Sequence, residues 1–210
     1  MTVKSPFLVY QNFLSPKACD SILSKIQTQS PNLDTEGNPV KMERYCDDAE
    51  DIIFHKLQAL IPEVEEHYGF KYRGTEKVVF QHYPEGMKGN CAEPHHAENS
   101  QYLRKKWVKV RPVDITGILW LKDYNDRPPF DNGSDVFGGK LEFAAHNFSL
   151  TPQKGTLVLF PAGPHFIKAI SPVLVGDLYQ AKVNIGAEGV WLYQPSNFPG
   201  HFSDWFKEYA

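Results

Sequence analysis

The sequence predicts a mainly β domain, a sandwich or barrel flanked by helices, and three observations predict it. Two segments before residue 70 carry apolar residues at helical spacing, and from residue 71 onward short β-prone runs recur at fairly regular intervals between Gly, Pro, Asn and Asp. The 210 residues have ordinary globular composition, 41% hydrophobic and 22% charged, near the size at which a single core closes. We therefore read one domain over residues 1–210, with a helical part at 1–70, a β core at 71–190 and a short C-terminal helix at 200–210. A formal charge of -3 leaves no basic footprint, so no nucleic-acid partner is expected. Apolar runs such as residues 157–160 fall far short of the roughly 20 residues that cross a bilayer, and the N-terminus lacks a basic-then-apolar leader. The expectation is a cytoplasmic protein with no membrane partner. Cys19, Cys46 and Cys91 are odd in number and widely separated, which indicates reduced thiols rather than a disulfide framework or a zinc knuckle.

The first helix is expected over residues 16–28. Ser15 is a capping residue, Pro16 suits the first helical position, and Cys19, Ile22, Leu23 and Ile26 share one face. A polar stretch through Gly37 and Pro39 reads as a loop. A second helix begins near Asp47, where acidic residues crowd the first turn. Ile53, Leu57, Leu60, Ile61, Val64 and Tyr68 then recur at three- and four-residue steps before Gly69, with Pro62 predicting a kink or break. Strands are expected at 77–83, 107–110, 115–121, 140–143, 156–160 and 178–185. Residues 124–139, rich in Asp, Asn, Pro and Gly, read as a rim loop or lid, and the aromatics Phe202, Trp205, Phe206 and Tyr209 as the docked face of the terminal helix.

His96-Ala97-Glu98 carries the first chemical signal. An imidazole and a carboxylate two residues apart leave an extended backbone on the same side, so both can bind one metal. A third, distant imidazole would complete the two-histidine, one-carboxylate face that leaves open positions on ferrous iron. Alone, such a pair in a chain with eight histidines is weak evidence.

The surrounding order strengthens it. Gln81-His82-Tyr83 with Gly86 precedes His96-Ala97-Glu98-Asn99, and residues 115–123 follow. Next come Gly138-Gly139 with Phe143, then Pro152, Gly155 and Phe160-Pro161, then Pro172-Val173 and Gly176. Over residues 78–184 this series resembles the Fe(II)- and 2-oxoglutarate-dependent oxygenases. It is closest to the prolyl 4-hydroxylases, with some features of the prolyl 3-hydroxylases. The resemblance implies a double-stranded β-helix, the cupin-like jelly roll, with N-terminal α-helices. It also implies Fe(II) and 2-oxoglutarate, with ascorbate as an accessory reductant. Dioxygen and a proline-containing peptide or protein would be the partners, and hydroxylation of a prolyl or related residue the reaction.

This chain departs from that pattern at three places. Glu98 stands where aspartate is usual. Counting back from Pro172 and Gly176 puts Lys168 in the slot of the distal histidine, yet a protonated amine has no lone pair for a metal. His165, three residues earlier, matches the distal element of the prolyl 3-hydroxylases, where histidine likewise precedes a lysine by three. His96, Glu98 and His165 are therefore the expected catalytic metal ligands, with Lys168 as the rival to His165. On a regular strand these two would face opposite ways, so the choice calls for irregular backbone near residues 163–164. Leu178 occupies the family's basic anchor position. Lys182 shares a face with Leu178, Gln180 and Asn184, and is expected to bind the distal carboxylate of 2-oxoglutarate with help from the Tyr83 hydroxyl; the alternative for Lys182 is a solvated outer face.

The remaining candidates read as structural. His95 belongs to a rim, His82 points away from Tyr83, and His146 is exposed. Trp120 and Phe143 are core aromatics, Trp107 and Arg111 border an entrance, and residues 104–106 form a solvated basic turn. Two rival functions stay open. One is a degenerate barrel without iron or 2-oxoglutarate activity, serving as a binding or structural module, which Glu98, Lys168 and Leu178 favour. The other is a cupin-like metal protein using His95, His96 and Glu98 without the oxo acid.

Overall fold

The computed structural model describes residues 5–27, 33–88, 97–104, 106–127 and 135–188. His95, His96, Cys91 and the expected C-terminal helix lie outside the described residues. Strand β1 (Leu8–Tyr10) precedes helix α1 (Pro16–Ile26), and β2 (Met42–Arg44) precedes α2 (Asp47–Tyr68). The β region opens with β3 (Lys71–Thr75), β4 (Val79–Tyr83), β5 (Ser100–Leu103), β6 (Lys106–Lys109), β7 (Ile115–Trp120) and β8 (Asp123–Tyr124). It continues through β9 (Asp135–Gly138), β10 (Leu141–Phe143), β11 (Phe148–Leu150), β12 (Leu157–Pro161), β13 (Ala169–Ile170), β14 (Val173–Val175) and β15 (Leu178–Glu188).

Helix α1 starts as the sequence indicates: the Ser15 hydroxyl accepts from the Ala18 N–H at 3.2 Å, and Pro16 opens the helix. Its buried face is Cys19, Ile22, Leu23 and Ile26. Helix α2 carries Asp47, Asp48 and Glu50 at its positive end and stops at Gly69, whose φ of 71° is left-handed. The break expected at Pro62 does not occur. Pro62 lies on the exposed side, where water can serve the carbonyl that its ring leaves without a donor, while Ile61, Val64 and Tyr68 stay packed on the sheet. Among the described residues no helix is long and apolar enough to cross a membrane.

The larger sheet has seven strands in the order β1-β12-β7-β15-β4-β2, with β3 also on β15. Facing it are two three-stranded sheets, β11-β10-β13 and β14-β9-β8, and the two layers make a jelly roll. Period-two alternation divides the buried residues between two cores. Tyr179, Ala181, Val183 and Ile185 of β15 join Leu157 and Leu159 of β12 under α1 and α2. Ile118, Trp120, Val158 and Phe160 point the other way, into the barrel, against Leu141, Phe143 and Val173 of the smaller layer. That opposite face of β15 also carries Gln180, Lys182 and Asn184, so polar groups enter the barrel interior beside the second core.

Two glycines allow close backbone approaches. At Gly155 (φ 77°) a Cβ would stand 2.1 Å from the Leu14 carbonyl oxygen, on the loop that the Leu14 N–H binds to the Gly155 carbonyl at 3.1 Å. At Gly138 (φ 90°) a Cβ would meet the Pro172 carbonyl oxygen at 2.0 Å, where β9 pairs with β14. Residues 124–139 are thus not loop throughout. Strand β9 runs parallel to β8 and antiparallel to β14, and the buried Val136 makes it worth pairing despite the polar residues before it.

Candidate active site in the barrel mouth

Asn99 fixes the backbone next to Glu98. Its N–H donates to Ala162 at 3.2 Å, its side-chain amide donates to the Val113 carbonyl at 2.7 Å, and its carbonyl accepts from Val110 and Arg111 at 2.7 and 3.2 Å. Asn99 is itself buried, so these bonds staple the segment to the end of β12, and Glu98 projects from a fixed base. The motif contained this asparagine; its role as a staple was not legible from spacing.

The Glu98 side chain is 14% exposed and lies between two ammonium groups. Lys168 bonds one carboxylate oxygen, and Lys182 Nζ stands 3.3 Å from the other. Burial pushes the carboxyl up, but the Lys168 and Lys182 charges outweigh it and bring the pKa down to about 2, so Glu98 is ionised at neutral pH. Lys182 is 14% exposed and faces the interior between Val79 and Ile118 in register, which excludes the solvated outer face.

His165 sits in a single 3-10 turn, Pro164–Phe166, after an extended Gly163. The backbone between β12 and β13 is therefore irregular, and strand alternation does not decide between His165 and Lys168. The His165 imidazole is buried, which with the nearby His146 lowers its pKa to about 4 and keeps it neutral at pH 7. His146 Nε2 hydrogen-bonds the His165 carbonyl at 2.7 Å. His146 is half-buried rather than exposed, because its ring stacks on Phe166 at 4.6 Å and meets Phe7 edge-on. His82 takes the face opposite Tyr83, stacked on Tyr179 at 4.2 Å with Nε2 3.3 Å from Asp177.

A polar row crosses the barrel interior: Glu43, Gln81, Gln180 and Trp120 are successive cross-strand partners on β2, β4, β15 and β7. The Glu43 carboxylate only accepts, so Gln81 Nε2 donates to it at 2.7 Å and Gln180 Nε2 donates to Gln81 Oε1 at 2.7 Å. Among the described residues, Gln180 Oε1 in that orientation has no hydrogen-bond partner, and neither has Trp120 Nε1; both residues are fully buried. Each such group costs about 1–3 kcal/mol until something meets it. Tyr83, buried beside them, has its hydroxyl 3.5 Å from both Gln81 Oε1 and Gln180 Nε2, and burial followed by the Glu43 and Glu98 charges raises its pKa. Trp120, expected as a plain core aromatic, thus also brings an unmet donor into the interior. The polar residues at every second position of β15 signal the polar row, whereas nothing in the sequence marks the Trp120 N–H as part of it.

Among the described residues no three His, Cys, Asp or Glu side chains cluster to hold a metal, and His96 is not among those residues. The structure thus joins Glu98 to Lys182 and to Lys168.

No family model matches the chain, and no curated protein matches it in sequence. Solved structures do. The viral collagen prolyl hydroxylase of Paramecium bursaria Chlorella virus-1, solved as a 2-oxoglutarate complex, superposes with a TM-score of 0.56 at 19% identity, over 88% of this chain and 97% of that one. A prolyl 4-hydroxylase from Pseudomonas putida gives 0.60 at 15% identity, over 88% and 94%. The prolyl hydroxylase of Trichoplax adhaerens, in complex with a peptide of the hypoxia-inducible factor oxygen degradation domain, gives 0.59 at 15% identity, over 86% and 83%. The chain thus has a jelly-roll fold, and that fold is similar to the one of these prolyl hydroxylases.

Proposed function

We propose that the protein is an Fe(II)/2-oxoglutarate-dependent dioxygenase that hydroxylates a prolyl or related residue in a peptide or protein, with His96, Glu98 and His165 as metal ligands. The observation that carries the reading is Glu98, a buried carboxylate held ionised at the mouth of a prolyl-hydroxylase barrel, with the cation of Lys182 3.3 Å away. The donors fit the metal in kind, an ionised carboxylate and a buried neutral imidazole. Bound iron supplies open positions for the oxo acid and dioxygen, and the oxidising power for C–H hydroxylation.

Lys182 leaves Glu98 and pairs with the distal carboxylate of the oxo acid, so the interior exchanges one ion pair for another without a bare charge. Tyr83 turns its hydroxyl from its two 3.5 Å glutamine contacts to the same carboxylate. The apolar wall of Ile118, Val158 and Phe160 excludes water from the reacting end. A peptide substrate is supported by the hypoxia-factor peptide bound in the Trichoplax structure. Cys19 and Cys46 are free thiols, which suits a cytoplasmic setting.

The second reading, a degenerate barrel acting as a binding module, is favoured by Lys168 on Glu98. Anaerobic addition of 2-oxoglutarate to the Fe(II)-loaded protein separates the two. The oxygenase reading expects a visible metal-to-ligand charge-transfer band that His165→Ala abolishes and Lys168→Ala retains. No band in the wild-type protein selects the degenerate barrel, and a band that survives His165→Ala removes His165 from the ligand set.

A further inference from the structure

The side chain that engages Glu98 from the distal-histidine slot is a lysine, which no part of the proposed chemistry uses. Glu98 carries one negative charge and is flanked by two positive ones, Lys168 and Lys182, both less than a fifth exposed. Among the described residues the Glu98 carboxylate is therefore charge-satisfied before any metal arrives. Lys182 has an alternative anion in the oxo acid, whereas among the described residues the one ion-pair partner of Lys168 is Glu98. Its backbone lies between the Pro164–Phe166 turn and the two-residue strand β13, so the ammonium can swing out on its four-carbon stem without disturbing the sheet.

We infer that Lys168 is a built-in cation cap: its ammonium occupies the Glu98 oxygen that a divalent metal needs, holds the carboxylate in place while the metal is absent, and sets the metal affinity by competing for that oxygen. The inference rests on the proposed metal site at Glu98. It adds that this chain binds divalent metal more weakly than its donor set alone allows, because an ammonium must leave first. The same charge count gives the direction of each substitution. Lys168→Met removes the competitor and its positive charge, whereas Lys168→Arg replaces a point charge with a planar fork that grips a carboxylate through two parallel bonds.

Calorimetric titration of the full chain with Mn(II) tests this without requiring turnover. Lys168→Met is expected to bind Mn(II) at least tenfold more tightly than wild type, and Lys168→Arg more weakly. The control Lys154→Met, which removes the ammonium paired with Asp20 away from the barrel mouth, is expected to match wild type. Thermal melts of the same samples distinguish a cap from a structural lysine. The cap predicts a metal-free Lys168→Met that melts lower than wild type but gains more from saturating Mn(II). Equal affinities for wild type and Lys168→Met, with both binding, overturn the cap and leave the metal site standing. Tighter binding by Lys168→Arg than by wild type overturns it as well, and serves if Lys168→Met does not fold. No Mn(II) binding by any of the four proteins overturns the cap together with the metal site.

Discussion

Replacing Glu98 by Gln in metal-free protein removes one buried carboxylate and leaves two ammonium groups facing a neutral amide. Breaking a buried ion pair from one side costs about 3–5 kcal/mol, and the residual exposure of Lys168 and Lys182 places this case at the lower end, about 3 kcal/mol. The titration of Glu98 gives a second route to the magnitude. Its pKa falls from the ordinary 4.5 to about 2 on folding, which corresponds to about 3 kcal/mol. Because the folded pKa is the lower one, this stability is present above pH 4.5 and is lost as the pH falls toward 2. Urea denaturation at pH 7 in the presence of chelator, repeated down to the acid limit of folding, measures both. The variant is expected to lose about 3 kcal/mol at pH 7 and to show a correspondingly shallower acid decline than wild type. A loss below about 1 kcal/mol, the range of exposed pairs, would refute the reasoning, since the clamp would then be solvated.

Three further outcomes follow from the same structure. Ser15→Ala removes the hydroxyl that accepts from Ala18 and is expected to cost about 1 kcal/mol in urea denaturation at unchanged slope. Gly155→Ala forces a Cβ against the Leu14 carbonyl at positive φ, and a loss of about 2–3 kcal/mol should appear in the same assay; a neutral result would mean the Leu14 loop does not pack there. Lys182→Met removes the cation proposed to hold the oxo acid. Metal affinity is expected to persist while 2-oxoglutarate affinity, read by titration of the metal-loaded protein, drops at least tenfold; unchanged affinity would assign the anchor elsewhere.

The helices and the barrel were legible because their signals are local or periodic: Ser15 before Pro16, the acidic first turn of α2, and the alternation along β15. Short strands such as β2 and β9 were not, because three or four residues whose pairing depends on distant partners leave no periodic trace. The unbroken α2 at Pro62 was missed because exposure of the proline, rather than its identity, decides whether a helix tolerates it. At the site, the inward face of Lys182 was open on sequence and is fixed by the register with Ile118 and Val79. Pairing across 70 residues brings Lys168 to Glu98, and no spacing rule encodes that contact. The unmet N–H of Trp120 was hidden because an aromatic on an interior strand reads as core whether or not its polar edge finds a partner.

The central claim is that Glu98 trades its lysines for a ferrous ion held jointly with His96 and His165. The most direct measurement is an anomalous difference map at the iron edge from crystals grown anaerobically with Fe(II) and 2-oxoglutarate. The account predicts a single strong peak bonded to those three side chains, with Lys168 withdrawn and Lys182 on the distal carboxylate of the oxo acid. A map with no peak at Glu98 and both lysines still on its carboxylate would contradict it.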